Sequence, residues 1–128
     1  MRLLLDTCTF LWLTEDAPSL SVVAREAFAD PDHEVFLSAV SAWEIAVKHQ
    51  LGRLPLPDPP DIFVPWQREH HGINALPLTE PAPMQLTRLP QHHRDPFDRL
   101  LICQAIAESL VLLTPDPEIR RYPVRTLW

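Results

Sequence analysis

Short, mainly apolar runs alternate along this chain with longer segments of helical periodicity. The runs are RLLLD at 2–6, EVFLS at 34–38, INALPL at 73–78 and LVLLT at 110–114, and YPVRTLW at 122–128 adds a last short strand. Runs that are apolar on successive residues are typical of strands buried on both faces of a sheet. Strands alternating with helices predict a parallel sheet covered by helices on both sides, here as one α/β domain.

The intervening segments carry helix signals. Helices are predicted over 7–14, 22–30, 41–52, 62–72, 80–88 and 95–109, and 53–61 is a proline-punctuated loop. Ser19 or Ser21 can cap the second helix, and Gly52 and Gly72 are placed to end the third and fourth. At 128 residues the chain is most simply a single domain spanning 1–128.

One carboxylate interrupts the most apolar early segment. LLLDTCTFLWL, residues 3–13, has Asp6 as its only charged residue. Taking an unpaired carboxylate out of water costs several kcal/mol, so the group must be paired, protonated or bound to a metal. A residue that closes a buried strand has no evident capping or turn role, and Asp6 is therefore a candidate functional residue.

Four further acids are predicted to lie at the same edge of the sheet, where ligands of open parallel sheets bind. Asp116 follows the strand at 110–114, Glu44 lies near the start of the third helix, and Asp95 and Asp98 open the helix at 95–109. Carboxylates on one edge repel one another unless protons or cations compensate them. Oxygen ligands select hard cations such as Mg²⁺ or Mn²⁺, which support phosphodiester or phosphoryl hydrolysis.

Each of these four acids also has a purely structural explanation. Glu44 with Ser41 matches a capping box, and Asp95 before a proline matches a helix N-cap with Asp98 at the third helical position. Asp116 between two prolines is an ordinary turn residue. For Glu44, Asp95 and Asp116 taken singly, the structural explanation is favoured, and only their convergence with Asp6 favours a functional one.

Charge and composition limit the function further. A net charge of −6 argues against a basic nucleic-acid-binding surface, although bound cations can reverse the field where acids cluster. Cys8 and Cys103 lie in apolar segments without metal-type spacing, which predicts reduced thiols in the cytoplasm. The adjacent histidine pairs at 70–71 and 92–93 lack a zinc-type spacing and are not expected to bind metal. No segment is apolar over the about 18 residues that a membrane span needs.

Four stretches in order along the chain resemble the PIN-domain ribonucleases, and most closely the VapC-type toxins of bacterial toxin–antitoxin pairs. They are LLLDTCTFLWL, SAVSAWEIAVKHQLGRLPL, HHRDPFDRLLICQA and LLTPDPEIRRYPVRTLW. The resemblance implies a three-layer α/β/α sandwich with a central parallel sheet and an endoribonuclease that depends on Mg²⁺ or Mn²⁺. It implies Asp6, Glu44, Asp98 and Asp116 as catalytic residues, with Asp6, Asp98 and Asp116 as metal ligands.

The same resemblance implies two accessory residues, Asp95 one turn before the third acid and Thr114 beside the fourth. Two positions depart from the pattern: Cys8 stands where relatives often have histidine, and Pro115 where a basic residue is common. The implied partners are an RNA substrate, a VapB-like antitoxin whose tail occupies the acidic cleft, and a second toxin chain in a homodimer. DNA would be bound only through the antitoxin.

Other functions with an acidic pocket remain open from the sequence. A haloacid-dehalogenase-type phosphatase also begins with a strand-end aspartate but needs a second one where this chain has Cys8. A receiver-like signalling domain needs a lysine after a late strand, and Lys48 is the only lysine. A PIN-like domain kept solely for binding is disfavoured because all four acids are present.

Overall fold

The computed structural model describes residues 1–128 and contains five strands and six α-helices. The strands are β1 (Arg2–Leu5), β2 (Glu34–Ser38), β3 (Asn74–Leu76), β4 (Val111–Leu113) and β5 (Thr126–Leu127). The helices are α1 (Thr7–Glu15), α2 (Val22–Ala29), α3 (Ala39–Gln50), α4 (Pro60–His70), α5 (Pro81–Met84) and α6 (Pro96–Glu108). None of the helices has the length and apolar character required to cross a membrane.

The strands form one parallel sheet in the order β3-β2-β1-β4-β5, with β1 at its centre. Leu3, Leu4 and Leu5 of β1 are completely buried because helices cover both faces of the sheet. The ladder continues one residue beyond the strand, where the Asp6 amide donates a hydrogen bond to the Leu113 carbonyl at 3.2 Å. The central strand thus carries Asp6 to the edge where all five carboxyl ends lie.

Alternate side chains of β1 contribute to two separate cores. Leu3 and Leu5 pack in a cluster of 14 buried residues with α1, α2 and α4, whereas Leu4 packs in a cluster of 12 that includes the buried face of α6. Helix α3 contributes to both clusters, through Ile45 and Val40 respectively. The two cores lie on opposite faces of the sheet, which confirms the predicted three-layer α/β/α sandwich.

The start of α3 differs from its prediction. The helix begins at Ala39, and the Ser38 hydroxyl accepts a hydrogen bond from the Val40 amide at 2.9 Å. The predicted capping box of Ser41 and Glu44 is therefore wrong, since both residues lie inside the helix. Ser38 is the last residue of β2 and also the cap of α3, so no loop separates the strand from the helix. The helix therefore starts about half a turn earlier than predicted. Glu44 is left without a capping role.

The remaining differences fall at element ends, where local signals are weakest. Helix α4 begins at Pro60, inside the predicted loop, because proline is well tolerated at the first helical position. The predicted last strand shortens to Thr126–Leu127, and Ile119–Arg121 form a 3₁₀ turn before it. Gly52 and Gly72 follow α3 and α4 with φ of +72° and +66°, as their roles in ending those helices require.

Gln104 of α6 is expected to be the most sensitive polar residue of the core. Its side chain is 1% exposed, donates to the Pro77 carbonyl at 3.0 Å and accepts from the Ser38 hydroxyl. Gln104→Met keeps most of the volume but leaves the Pro77 carbonyl unpaired, so the free energy of unfolding in urea should fall by about 1–3 kcal/mol. Gln50→Met at the exposed end of α3 is the control and should stay within about 0.5 kcal/mol. Equal losses in the two variants would contradict the role of the buried amide.

Candidate active site

A pocket of about 370 Å³ opens at the carboxyl edge of the sheet. Its polar wall contains all five acids singled out from the sequence and two basic residues: Asp6, Glu44, Asp95, Asp98, Asp116, Lys48 and Arg53. The acids come from four segments that are far apart in the chain. Because five carboxylates face only two basic side chains, the pocket carries an excess of potential negative charge.

Asp6 lies where β1 passes into α1. It is the N-cap residue of α1, yet its side chain makes no capping hydrogen bond. The Oδ2 atom accepts hydrogen bonds from the Thr114 hydroxyl at 2.6 Å and from the Cys8 thiol at 3.5 Å. Burial raises the pKa of Asp6 above its usual value of 3.8 in spite of these donors. The fold therefore holds a carboxylate where its charged form is disfavoured unless a cation binds.

Thr114 connects two of the acids through one hydroxyl group. Its Oγ1 donates to Asp6 Oδ2 at 2.6 Å and accepts from the Asp116 amide at 3.1 Å. The Asp116 carboxylate in turn accepts from the Glu118 amide at 2.9 Å, so the predicted turn role of Asp116 and its place in the pocket coexist. Because the Asp116 amide can only donate, the proton of the buried Thr114 hydroxyl is left for Asp6.

Glu44 reaches the pocket from the middle of α3. The helix is tied to α1 by a buried hydrogen bond from the Thr7 hydroxyl to the Ser41 hydroxyl at 2.9 Å, one turn before Glu44. Glu44 Oε2 accepts a hydrogen bond from Lys48, four residues further along the same helix, whereas Oε1 is buried without a donor. Burial lowers the pKa of Lys48, but the bond to Glu44 and the charges of Glu44, Asp95 and Asp98 together outweigh it and raise that pKa overall.

Asp95 and Asp98 are positioned by the start of α6. Asp95 caps the helix, as predicted, by accepting from the amides of Phe97 at 2.9 Å and Asp98 at 3.2 Å. Asp98 lies in the first turn, and its Oδ2 is 3.1 Å from His93 Nε2. Burial, followed by the charge of Asp6, raises the pKa of Asp98 to about 7. Asp6 and Asp98 line the same pocket, in keeping with this effect of one charge on the other.

Comparison with known proteins identifies the family of this chain. The sequence matches the family model of the PIN domain over residues 3–124. The chain belongs to the PIN domain family.

Individual relatives match this PIN domain over different lengths. Ribonuclease VapC16 of Mycobacterium tuberculosis is 40% identical over 52 residues, which is 41% of this chain and 37% of that protein. The matched segment thus spans little more than a third of the relative.

Solved structures match over nearly the whole PIN domain. VapBC2 from Rickettsia felis, bound to a DNA fragment from their promoter, superposes with a TM-score of 0.74 at 14% identity, covering 98% of this chain and 97% of that chain. VapBC-1 from nontypeable Haemophilus influenzae gives a TM-score of 0.66 at 15% identity, with 98% and 96% covered. At these identities the likeness establishes the shared fold.

The pocket of this PIN domain fits a hard divalent cation, and PIN ribonucleases generally use divalent metals. The orphaned Glu44 Oε1 is a buried acceptor without a donor, and every acidic ligand candidate offers oxygen. No three His, Cys, Asp or Glu side chains stand close enough to ligate one ion together as they lie. A shell of few carboxylates completed by water is the arrangement that Mg²⁺ prefers.

Two residues of the pocket, Lys48 and Arg53, and a histidine beside it are not identified by the sequence analysis. Lys48 stands four residues after Glu44, a spacing that allows an ion pair on a helix, but in the sequence analysis it is noted only as the single lysine. His93 was set aside because the pair at 92–93 lacks zinc-type spacing, and no local pattern predicts its contact with Asp98. Arg53 lies in the predicted loop, and no pattern in the sequence indicates that it lines the pocket.

Proposed function

We propose that this chain, as a single PIN domain over residues 1–128, is the toxin of a toxin–antitoxin pair. It acts in the cytoplasm as a divalent-metal-dependent endoribonuclease that hydrolyses RNA phosphodiester bonds, and a VapB-like antitoxin inhibits it. The observation that carries the proposal is the convergence of five acids from four distant segments on one pocket. The printed names of the relatives, Ribonuclease VapC16 and VapBC complexes, support it.

The proposed ligands of a Mg²⁺ or Mn²⁺ ion are Asp6, Asp98 and Asp116, of which Asp116 acts through a bound water because no three acids stand close enough to ligate one ion as they lie. Asp6 and Asp98 are the principal pair because both line the pocket, from the end of β1 and the first turn of α6, and the charge of Asp6 raises the pKa of Asp98. A divalent ion bound there lowers the pKa of a water ligand and offsets charge on the phosphate oxygens. Thr114 orients Asp6 and Asp116 through its two hydrogen bonds, and Asp95 orients Asp98 by capping α6.

Other side chains of the pocket have roles in binding and orienting the reactants. Glu44 Oε1 is free to accept a hydrogen bond from the attacking water, because Lys48 occupies only Oε2. Lys48 and Arg53 on the same wall offer positive charge to the phosphate group of the RNA. Glu44 thus supplies the oriented acceptor and Arg53 a contact to the substrate backbone.

The acidic pocket also accounts for the proposed mode of inhibition. A basic segment of the antitoxin would be attracted to five acids that face only Lys48 and Arg53. In this arrangement the antitoxin supplies the DNA contacts, in keeping with the net charge of −6 of this chain. A homodimer within a larger toxin–antitoxin assembly completes the proposal.

The deciding experiment is RNA cleavage by the purified protein with Mg²⁺, with Mn²⁺ and with EDTA, followed by mapping of the cut sites. Cleavage with either ion, its loss in EDTA and its suppression by a small protein encoded by a short gene next to its own would support the proposal. Binding to that small protein without cleavage under any metal condition would instead indicate a PIN domain kept solely for binding. Release of phosphate from small phosphate esters would favour the phosphatase alternative.

A further inference from the structure

Asp98 is held in place by a histidine outside the acidic pocket. His93 Nε2 lies 3.1 Å from Asp98 Oδ2, and the two side chains are only 16% and 15% exposed. No protein donor contacts the other oxygen, Oδ1, so the histidine occupies one carboxylate oxygen and leaves the second available. His93 itself belongs to the segment that precedes α6 and makes no other contact with an acid.

The far side of the histidine ring is held by Tyr122, which is 4% exposed. His93 Nδ1 lies 2.8 Å from the Tyr122 hydroxyl. The same oxygen accepts hydrogen bonds from the amides of His92 and His93 at 3.2 and 3.1 Å and from Arg99 Nη1 at 3.1 Å. Because this oxygen already accepts from three donors, its own proton has two acceptors in reach, and His93 Nδ1 at 2.8 Å is much nearer than the His93 carbonyl at 3.5 Å.

These contacts determine which nitrogen of His93 carries the proton. Tyr122 donates its hydroxyl proton to Nδ1, so Nδ1 is the acceptor and the proton of the neutral ring is on Nε2. Nε2 then donates to Asp98 Oδ2, a bond of the charge-assisted kind when the carboxylate is ionised. The chain of donors runs in one direction, from Tyr122 through His93 to Asp98.

We propose that His93 is a positioning residue for the Asp98 carboxylate and that Tyr122 sets its tautomer and ring orientation. Residues that hydrogen-bond to a metal ligand in this way orient the ligand and alter the metal affinity without touching the metal. The inference rests on the proposed function, because it takes Asp98 as a metal ligand. It adds a residue class that the acidic motifs do not contain, a histidine acting through one of the acids.

Mn²⁺ binding to the metal-free protein, measured by electron paramagnetic resonance, tests the role of the donor. His93→Ala is expected to weaken Mn²⁺ binding by about 10- to 100-fold. His93→Gln places an amide donor near the position of Nε2 and should recover most of the affinity. His92→Ala is the matched control: its ring packs edge-on against Tyr122 at 4.9 Å but contacts no acid, so Mn²⁺ affinity should stay that of the unaltered chain.

Nitrogen chemical shifts of the His93 ring test the tautomer independently of any metal. The unaltered protein should show a protonated Nε2 and an unprotonated Nδ1, and Tyr122→Phe should abolish this preference. A protonated Nδ1 in the neutral ring, or equal Mn²⁺ affinity in the unaltered protein and His93→Ala, would overturn the inference while leaving the proposed function intact. Absence of Mn²⁺ binding in the unaltered protein would overturn the metal site itself and the inference with it.

Discussion

Asp6→Asn is expected to lower the rate of RNA cleavage by at least about 100-fold. Losing a residue that only orients a metal ligand already costs about 10- to 100-fold in metal affinity or activity, and Asp6 is a proposed ligand itself. The same change is expected to raise the melting temperature of the metal-free protein. Burial raises the pKa of Asp6, so the folded state disfavours the charge that asparagine removes. The asparagine carbonyl can still accept from Thr114 and Cys8, which preserves the local contacts.

Gain of stability with loss of activity separates a functional carboxylate from a structural one. Initial cleavage rates and thermal unfolding in EDTA measure the two effects on the same preparation. Asp32→Asn is the matched control, since this exposed aspartate lies before β2, at the opposite edge of the sheet, and should change neither quantity. Full activity in Asp6→Asn would refute the assignment of Asp6, and a lower melting temperature would refute the account of its burial.

The metal-free protein is expected to lose stability as the pH rises from about 5 to 8. Burial raises the pKa of Asp98 to about 7, so between its unfolded value of 3.8 and about 7 the folded state binds more protons than the unfolded state. The free energy of unfolding therefore falls with rising pH across this window. Asp6 and His93 have raised pKa values and act in the same direction, whereas His71, with a lowered pKa, opposes them.

Divalent ions should reverse this loss above neutral pH. A cation that binds only the folded protein stabilises it by about 2.7 kcal/mol at a free concentration of 100 times its dissociation constant. We expect the melting temperatures measured with Mn²⁺ and with EDTA at pH 5, 6, 7 and 8 to differ more as the pH rises. Asp98→Asn should make the melting temperature in EDTA depend less on pH, since it removes the carboxyl whose pKa is raised to about 7. Stability that rises with pH in EDTA would contradict the electrostatic account of the pocket.

The sequence alone was sufficient for the elements of the fold and for the acids of the pocket. Runs that are apolar on successive residues identify buried parallel strands, and caps such as Ser21 and Asp95 identify helix starts, because these signals act within a few residues. Asp6 was identifiable because a charge at the end of a buried strand requires compensation wherever the rest of the chain lies. The start of α3 was predicted wrongly because Ser38 and Ser41 are equivalent as local signals, and only the end of β2 selects between them.

Tertiary structure decided how the acids are held and which neighbours they have. The Thr114 hydroxyl meets Asp6 across 108 positions of sequence, and Tyr122 meets His93 across 29. No spacing rule predicts such pairs, because they depend on the order of strands in the sheet and on the loop that precedes α6. Local periodicity thus determined the elements and named the acids, whereas the donors that orient those acids became visible only once the packed sheet brought distant segments within hydrogen-bond distance.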